Sequence, residues 1–333
     1  MLTKRELLAR TLDVTGCGRL LRTTRSWNGV LILNYHRIGE PDDSPFDRNL
    51  WSASAEDFDR QLLFLSQNFD VIGLGDLEHS LSQPRGRFVM VTFDDGYRDN
   101  FSVAFPILKS RGVSATFFIA TGFIDQPKIP WWDELAWMTR STSVNSLPAN
   151  EWLPSSVALG ESDRERAFGR FLAVYKSLGN ELTGMYLDFL ADALGTGRCP
   201  ASMAADLWMT WDMLREMQSG GMTFGGHSVT HPILANQTAD QQDWEVGECQ
   251  RRLVAELGGP IDAFSYPNGK PESFNEFTRA ALRTHGFRRA FAHAGGFCEL
   301  SSLDRFALRR SPVETDIDLP QFRATATLPQ IFS

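Results

Sequence analysis

Cysteine and histidine are both scarce in this sequence. Its 333 residues include only four cysteines and six histidines. The cysteines stand far apart without Cys-x-x-Cys spacing, which argues against a disulfide scaffold and a thiolate metal site and is compatible with a reducing compartment. Because histidines are so few, a closely spaced pair of them is more informative than it would be in a histidine-rich protein.

The first 25 residues lack an uninterrupted apolar stretch. Charged side chains recur among them at Arg10, Asp13, Arg19 and Arg22. This spacing leaves no apolar core long enough for a signal peptide or a membrane-spanning helix. We therefore expect a cytoplasmic location.

Basic side chains are fewer than acidic ones in the chain as a whole, but they outnumber acidic ones at its N-terminus. The formal net charge is −8, which argues against nucleic acid as a partner. Residues 1–25 nevertheless hold six basic side chains and two acidic ones. We predict that residues 1–28 form a basic amphipathic segment in peripheral contact with the anionic surface of the inner membrane. The alternative is a helix packed on its own domain, because Gly16 and Gly18 interrupt the amphipathic pattern.

A strand predicted at residues 88–93 ends in two carboxylates. Residues 88–93 are apolar or β-branched, as in strands covered on both faces of a parallel sheet. Asp94, Asp95 and Gly96 follow, and residues 97–111 have the apolar spacing of a helix. Adjacent carboxylates repel each other and persist beside a cation or with one of them protonated. The alternative is a helix N-cap beside a solvated acid, but active sites of α/β barrels lie at such strand ends.

A second polar cluster follows the short apolar strand predicted at residues 222–224. It contains His227 and His231, whose i and i+4 spacing places both rings on one face of a helical turn. Imidazole and carboxylate together are a common ligand set for zinc and similar divalent ions. We therefore favour a metal site over two unrelated histidines.

Strands and helices alternate along most of the chain from residue 29. Strands are predicted at 30–35, near 71, and at 88–93, 115–120, 222–226, 262–266 and 288–292. This alternation is typical of a barrel or a doubly wound sheet. It lapses between about residues 124 and 207, which we predict to be an inserted, mainly helical subdomain or lid. Trp131, Trp132 and Trp137 begin this insertion and suit sugar stacking or core packing; we expect core packing for at least two of them.

The two polar clusters together resemble a known family. Thr-Phe-Asp-Asp-Gly at residues 92–96, followed by His-Ser-x-x-His at 227–231, resembles the polysaccharide deacetylases with a NodB homology domain, carbohydrate esterase family 4. The resemblance covers about residues 29–125 and 205–315. It implies an α/β fold over residues 29–333, a distorted (β/α)-barrel of about seven strands. It also implies that Asp94 is the general base and that Asp95, His227 and His231 hold one divalent metal ion.

The family's third motif is altered in this sequence. Its Arg-x-Pro-Tyr-Gly segment corresponds to Ser-Tyr-Pro-Asn-Gly at residues 265–269. The resemblance therefore assigns the backbone N–H of Asn268 to the oxyanion, a role that does not depend on the side chain. The motif arginine, which orients the catalytic aspartate in the family, is absent. Arg310 is a candidate substitute, although an ordinary surface charge is the favoured interpretation of that residue.

The family's Leu-x-His segment, which supplies the general acid, is not evident near the C-terminus. His36 and His293 each end a predicted strand and are candidates for this role, with a hydrogen-bonded structural histidine as the alternative for either. We rank His36 above His293 because residues 35–37, Tyr-His-Arg, resemble a segment of a bacterial exopolysaccharide subgroup of the family.

These patterns and the resemblance predict a metal-dependent deacetylase or deformylase. Its substrate would be the N-acyl group of an amino sugar in a bacterial surface polysaccharide or its lipid-linked precursor. Zinc is the expected ion, and cobalt, nickel and iron accept the same ligands. The alternatives are a hydrolase of a small non-sugar amide and a glycan-binding protein that has lost catalysis. The second alternative is prompted by the missing arginine and the unlocated general acid.

Overall fold

The structure of the chain is a computed structural model, and it describes residues 3–24, 26–42, 44–83 and 85–333. Met1, Leu2 and Arg25, which belong to the predicted N-terminal segment, lie outside the described residues. The strands are β1 (Gly29–Tyr35), β2 (Arg37–Ile38), β3 (Trp51–Ala53), β4 (Asp70–Ile72), β5 (Phe88–Phe93), β6 (Thr116–Ile119), β7 (Ser146–Leu147), β8 (Val157–Ala158), β9 (Thr223–Gly226), β10 (Ala263–Ser265), β11 (Arg289–Ala292), β12 (Cys298–Glu299), β13 (Leu308–Arg309) and β14 (Ser311–Pro312). The helices are α1 (Lys4–Val14), α2 (Cys17–Thr24), α3 (Ala55–Asn68), α4 (Leu77–Ser82), α5 (Phe105–Arg111), α6 (Thr121–Asp125), α7 (Trp131–Ser141), α8 (Arg164–Ser177), α9 (Asn180–Ala193), α10 (Trp211–Ser219), α11 (Ala239–Leu257), α12 (Glu276–Thr284), α13 (Leu319–Thr327) and α14 (Pro329–Phe332).

The main sheet is barrel-like, which confirms the predicted fold class. Neighbouring strands follow the order β12, β1, β5, β6, β9, β10, β11, β13, and all of them except β12 pair in parallel. The chain crosses between the two edges of this sheet within residues 308–312, because β13 pairs with β11 and β14 pairs with β1. Arg310, the one residue between β13 and β14, therefore lies where the barrel closes.

One predicted helix begins in an unexpected form. The helix predicted at 97–111 starts with a wide π-helical turn, Asn100–Ala104, and continues as α5. The side chain of buried Asn100 donates to the His36 carbonyl at 2.7 Å, and Asp99 pairs with Arg37 at 2.8 Å. These two bonds fasten the wide turn to the chain that follows β1, and π-turns of this kind are frequent at functional sites.

The segment predicted as an insertion is mainly helical. Within it, α7, α8 and α9 pack around a hydrophobic cluster of their own, whose fully buried members include Leu135, Phe171, Tyr186 and Leu190. The segment thus has a source of stability in its own helices, because these side chains are removed from water by packing on one another. The division of the chain into separate domains stays a prediction.

The N-terminal helices α1 and α2 pack on α13, near the other end of the chain. Arg10 and Asp13 pair with Asp318 and Arg323, each at 3.1 Å. Leucines of the same helices face solvent, with Leu7 60% and Leu20 64% exposed. Part of the basic charge is therefore used within the protein, while an apolar surface stays open. Among the described residues, every helix is too short or too polar to span a bilayer.

Candidate active site

The seven predicted site residues line one cavity of about 230 Å³. The carboxyl ends of parallel strands meet at one end of a barrel, so residues far apart in sequence come together there. His36 follows β1, the two aspartates follow β5, His227 follows β9, Asn268 follows β10 and His293 follows β11. The predicted site residues that line this cavity are His36, Asp94, Asp95, His227, His231, Asn268 and His293.

Asp94 is buried and bound by both arms of Arg310. The guanidinium donates from Nη1 to Asp94 Oδ1 at 2.8 Å and from Nη2 to Oδ2 at 2.7 Å. Arg310 also donates to Asn34 Oδ1 at 2.5 Å and to Ser265 Oγ at 2.8 Å, and it has no exposed surface. The interpretation of Arg310 as an ordinary surface charge is therefore wrong. The arginine reaches Asp94 from the closure of the barrel instead of from the motif that follows β10.

This ion pair fixes the charge of Asp94. Burial alone would raise the pKa of Asp94, but the Arg310 guanidinium, followed by His227, holds that pKa well below its usual value. Asp94 is therefore a carboxylate throughout the physiological pH range. A buried ion pair is favourable only when its remaining donors are satisfied, and Asn34 and Ser265 satisfy those of Arg310.

Asp95, His227 and His231 form a buried group that fits a divalent metal ion. Their ligand atoms all lie within 4.8 Å of one another. Asp95 Oδ1 is 3.3 Å from His227 Nε2 and 3.4 Å from His231 Nε2, and among the described residues it has no hydrogen-bond partner. Two atoms that are each about 2.0–2.1 Å from a tetrahedral ion lie roughly 3.3 Å apart. The observed separations therefore suit three ligands of one ion.

The two imidazoles direct their Nε2 atoms at Asp95. His227 Nδ1 donates to the Ser265 carbonyl at 2.7 Å, which orients Nε2 toward Asp95. Burial opposes a positive charge on His227, but the Asp94 and Asp95 carboxylates outweigh it and raise the pKa of this ring. Burial and the neighbouring His227 lower the pKa of His231 to about 3, so its ring is neutral. Metal ligands must be neutral imidazoles and ionised carboxylates, so His231 is ready to bind, and a cation at the site would displace a proton from His227.

The backbone of the site adopts conformations that side chains rarely allow. Among the described residues other than glycine, positive φ occurs at Asp95 (76°), Ser228 (64°), His231 (56°) and Asn268 (60°). Such conformations cost about 1–3 kcal/mol each and cluster at functional sites, where the surroundings enforce them. Three of the four residues are predicted site residues, and Ser228 lies between the two histidines.

Glu245 of α11 enforces the conformation of the histidine loop. Its buried carboxylate accepts the N–H of Val229 at 2.7 Å and that of Thr230 at 2.9 Å, and it also accepts the Thr230 hydroxyl. Sequence reasoning missed this residue. The available signal was an acid on the buried face of α11, a face that also contains Gln242, Val246, Cys249 and Leu253.

His36 and His293 lie close together, with ring centroids 6.1 Å apart. Asn34 Nδ2 is 3.3 Å from His293 Nδ1. Because Asn34 Oδ1 accepts from Arg310, the amide nitrogen faces His293 and donates to Nδ1. Burial, followed by His36 and Arg310, lowers the pKa of His293 to about 3. His293 is therefore neutral at physiological pH, which leaves His36 as the other candidate for the general acid.

Asn268 lies on a tight turn that is tied to His293. Among the described residues the backbone N–H of Asn268 has no hydrogen-bond acceptor, whereas the neighbouring Gly269 carbonyl accepts the His293 N–H at 2.7 Å. A Cβ at Gly269 would lie 2.6 Å from the His293 nitrogen, so only glycine fits there. The turn that follows β10 and the chain that follows β11 are thus held in one arrangement.

The tryptophans of the insertion contact the histidine loop. Trp132 and Trp137 pack in hydrophobic clusters as expected, and Trp132 also lines the cavity beside Trp131. Trp131 Nε1 donates to the His231 carbonyl at 3.3 Å, and the Trp132 ring meets the His231 ring edge to face at 4.4 Å. Trp132 Nε1 in turn donates to the Tyr97 hydroxyl at 2.7 Å. The insertion therefore helps to hold a predicted metal ligand.

Comparison with known sequences identifies relatives. The chain matches the family model described as polysaccharide deacetylase over residues 82–146 and 174–290, more than half of its length. A Bacillus subtilis protein named as a candidate polysaccharide deacetylase is 32% identical over 92 residues. That alignment spans 26% of this chain and 30% of the relative.

Solved structures at low sequence identity share the fold. The Streptococcus pyogenes deacetylase PplD has a TM-score of 0.59 and 18% identity, with 90% of this chain and 97% of that chain covered. IcaB from Ammonifex degensii has a TM-score of 0.57 and 19% identity, with coverage of 90% and 97%. The BpsB deacetylase domain from Bordetella bronchiseptica has a TM-score of 0.51 and 16% identity, with coverage of 85% and 95%. Because the family model spans both the carboxylates after β5 and the histidines after β9, the chain belongs to the polysaccharide deacetylase family, metal-dependent hydrolases that act on amide bonds.

Proposed function

We propose that the protein removes an N-acetyl or N-formyl group from an amino sugar in a bacterial surface polysaccharide or in its lipid-linked precursor. The observation that supports this best is the ion pair of Asp94 and Arg310, which holds an ionised base beside the group of Asp95, His227 and His231. Hydrolysis of an unactivated amide needs such a base next to a site that activates water. Acetyl is the favoured acyl group, because the S. pyogenes relative is described in complex with acetate.

Asp94 is the general base of the proposed reaction. Asp95, His227 and His231 would hold the ion, proposed to be zinc, which when bound lowers the pKa of water and polarises a carbonyl. Asp94 accepts the proton of the attacking water, and it is already ionised because Arg310 lowers its pKa. A carboxylate has about four acceptor positions, so the two bonds from Arg310 leave room for that proton.

Two other groups complete the reaction. The backbone N–H of Asn268 stabilises the negative charge that develops on the acyl oxygen, since a donor without a partner is available to it. His36 returns a proton to the leaving nitrogen. His293 is the less suitable donor because its lowered pKa keeps it neutral; its contact with Asn34 gives it a positioning role instead.

The shape and chemistry of the cavity support a sugar substrate. Its lining combines the indole rings of Trp131 and Trp132 with polar groups such as Asn49. Sugar rings have apolar faces that pack on aromatic side chains and hydroxyl groups that bond to polar ones, a combination that this cavity offers. A small amide would need fewer such partners.

Replacing Asp94 with asparagine tests the proposal. Acetate release from N-acetylglucosamine oligomers should fall by about 10²–10⁴-fold, the range for loss of a general base, while the metal content stays at the wild-type level. Asp59→Asn changes a half-buried acid outside the cavity that pairs with Arg111 and should leave both measurements unaltered. Full activity of Asp94→Asn would overturn the assignment. Acetate release from small acetamides alone would favour the small-amide hydrolase, and bound metal without any release would favour a glycan-binding protein.

The proposed place of the reaction is the cytoplasmic face of the inner membrane, on a glycan still attached to its lipid carrier. Exposed Leu7 and Leu20 lie on the same two helices as the exposed basic residues Lys4 and Arg19. Apolar and basic side chains together favour anionic membrane surfaces. Because Arg10 pairs with Asp318 of the same chain, fewer positive charges are available for lipid headgroups, and the membrane contact should be weak and reversible.

A further inference from the structure

Two lysines line the cavity without an anionic partner. Lys176 lies on α8 in the insertion, and Lys270 lies on the turn that follows β10. Among the described residues, neither ammonium has a carboxylate oxygen within 4.0 Å. Lys176 is half-buried, whereas Lys270 is exposed at the mouth of the same cavity. A charge that is partly removed from water without a partner is costly, so Lys176 needs an explanation.

None of the four carboxylates that line the cavity lies within 4.0 Å of either ammonium. Asp94 and Asp95 belong to the reacting centre, and Asp47 and Glu314 are the other two. The Asp47 carboxylate accepts the backbone and side-chain N–H groups of Asn49, both at 3.0 Å, and so caps its own turn. Burial raises the pKa of Asp47 and that of Glu314. Burial, followed by Lys270, lowers the pKa of Lys176 and outweighs Asp47, which attracts this ammonium from beyond salt-bridge distance. The Lys176 ammonium therefore still lacks a direct partner.

We infer that Lys176 and Lys270 form a subsite for an anionic group of the glycan, a carboxylate or a phosphate, near the sugar whose amide is hydrolysed. Such a group would satisfy both ammonium ions by charge-assisted hydrogen bonds. It would also relieve their mutual repulsion, because burial and then the charge of Lys270 lower the pKa of Lys176. The inference rests on the proposed function and adds a substrate class to it.

Each lysine is connected to a different part of the reacting centre. Lys270 stands two residues after Asn268, on the turn that is tied to His293. The end of α8 is held by Asn236, whose side chain donates to the carbonyls of Lys176 at 3.2 Å and Leu178 at 3.0 Å. An anion between the two lysines would therefore be held at a defined position relative to the acyl group.

Two sources supply an anion of this chemistry. One is the carboxylate of a uronic acid that neighbours the amino sugar in the polymer. The other is the phosphate that joins the first sugar to a lipid carrier. Both present oxygen atoms with negative charge, which is what lysine recognises. The two lysines therefore suit either anion, and the experiment distinguishes the carboxylate from the phosphate.

The test compares three substrates that carry the same N-acetyl sugar. The first is a neutral N-acetylglucosamine disaccharide, the second has glucuronic acid beside the N-acetyl sugar, and the third carries the N-acetyl sugar on a short prenyl pyrophosphate. In the wild type, kcat/KM for one anionic substrate should exceed that for the neutral one, and that substrate identifies the source. Lys176→Met and Lys270→Met should each reduce this ratio by about tenfold, the effect of losing one charge-assisted bond. Lys109→Met, an exposed lysine of α5, should leave the ratio at its wild-type value.

Binding provides a readout that does not need turnover. Isothermal titration of the glucuronate disaccharide and of the prenyl pyrophosphate into Asp94→Asn should give affinities that weaken with salt. Adding Lys176→Met should weaken the affinity for the preferred ligand by about tenfold. Lys176→Arg should instead keep the affinity near that of Asp94→Asn alone, because it keeps the charge. Equal affinities with and without Lys176, in protein with a wild-type thermal midpoint, would overturn the inference. Because this arm is independent of acetate release, a failed subsite and a failed deacetylase assignment give different results.

Discussion

The two walls of the cavity are held together in different ways. The barrel wall, Asp94 with Arg310, Asn34 and Ser265, is joined by hydrogen bonds between buried side chains at strand ends. The insertion wall is Trp131, Leu172 and Lys176, partly buried side chains of a segment with its own hydrophobic cluster. In the barrel wall, each donor and acceptor has a fixed partner. In the insertion wall, a side chain can be replaced without breaking the hydrogen bonds among Asp94, Arg310, Asn34 and Ser265.

This difference indicates a division of labour. Groups that must keep one charge and one orientation belong on rigid elements, where neighbours fix both. Groups that select a substrate can vary with the segment that carries them. We therefore expect changes in the barrel wall to reduce kcat for every substrate, and changes in the insertion wall to act on KM and on substrate choice.

The largest effect is expected from breaking the barrel wall at Arg310. Arg310→Met leaves Asp94 buried without its partner, which costs about 3–5 kcal/mol of unfolding free energy, and frees the base to leave its position. Turnover should fall by about 10²-fold or more on all substrates. Urea unfolding and acetate release measure the two effects. Arg309→Met is the matched control, since Arg309 is exposed and its Nε donates to the Gly295 carbonyl.

The loss at Arg310 should also depend on pH. In the wild type the folded pKa of Asp94 is lowered, so the stability from this pair is fully present above the unfolded value of about 3.9 and is lost as pH falls through the folded pKa. In Arg310→Met, burial without a partner raises the folded pKa, and stability is lost as pH rises through it. The difference in unfolding free energy between the two proteins should therefore widen from pH 4 to pH 8. A constant difference would contradict the ion-pair account.

A smaller effect is expected at the histidine loop, which contacts both walls. Glu245→Gln keeps one oxygen for the two backbone N–H groups but removes the negative charge that strengthens both hydrogen bonds. Metal affinity should fall by about 10–100-fold, as for other residues that orient metal ligands, and activity should return at high metal concentration. Glu248→Gln, which pairs with Arg251 on the same helix, should bind metal like the wild type. Unchanged affinity in Glu245→Gln would mean that the loop holds its conformation without that carboxylate.

The insertion wall should respond through substrate binding. Trp131 stacks on Tyr175 with ring centroids 4.3 Å apart and lines the cavity. Trp131→Leu should raise KM for amino-sugar oligomers by about tenfold, since aromatic contacts contribute about 0.5–1.5 kcal/mol beyond the buried area, and should change kcat less. Trp137→Leu alters the hydrophobic cluster of the same segment; it should lower stability and spare KM. If Trp131→Leu lowers kcat and leaves KM unaltered, Trp131 acts mainly through its bond to His231.

The parts of the site that sequence reasoning could predict are those that depend on local order. Asp94, Asp95, His227 and His231 stand directly after recognisable strands, so their convergence follows from the barrel alone. The strand limits also agree within two residues, because buried parallel strands have a distinct apolar pattern. Arg310 could not be placed in this way, since its contact with Asp94 exists only because residues 308–312 close the barrel.

The same reason explains the other residues that were missed. The position of Glu245 depends on which side of α11 meets residues 229–230, and a helical pattern does not specify its partner. The π-turn at Asn100–Ala104 depends on the bond from Asn100 to the His36 carbonyl. In both cases a tertiary contact between distant segments, and not local propensity, determines the structure.

The smallest effect on chemistry is expected from α1 and α2, which belong to neither wall. Deleting residues 1–25 is a poor test of membrane contact, because α1 packs on α13 and its removal would break the pairs of Arg10 with Asp318 and Asp13 with Arg323. Replacing the exposed Leu7 and Leu20 with serine keeps those ion pairs and removes the apolar contribution to lipid binding. Sedimentation with anionic vesicles should show a several-fold weaker association, while acetate release from a soluble oligomer stays at the wild-type rate. Met185→Ser, 61% exposed on α9, is the matched control. If the intact protein does not bind vesicles, or if the double variant binds them as well as the wild type, these helices serve only to pack on the protein. The lipid-linked substrate would then lose this support.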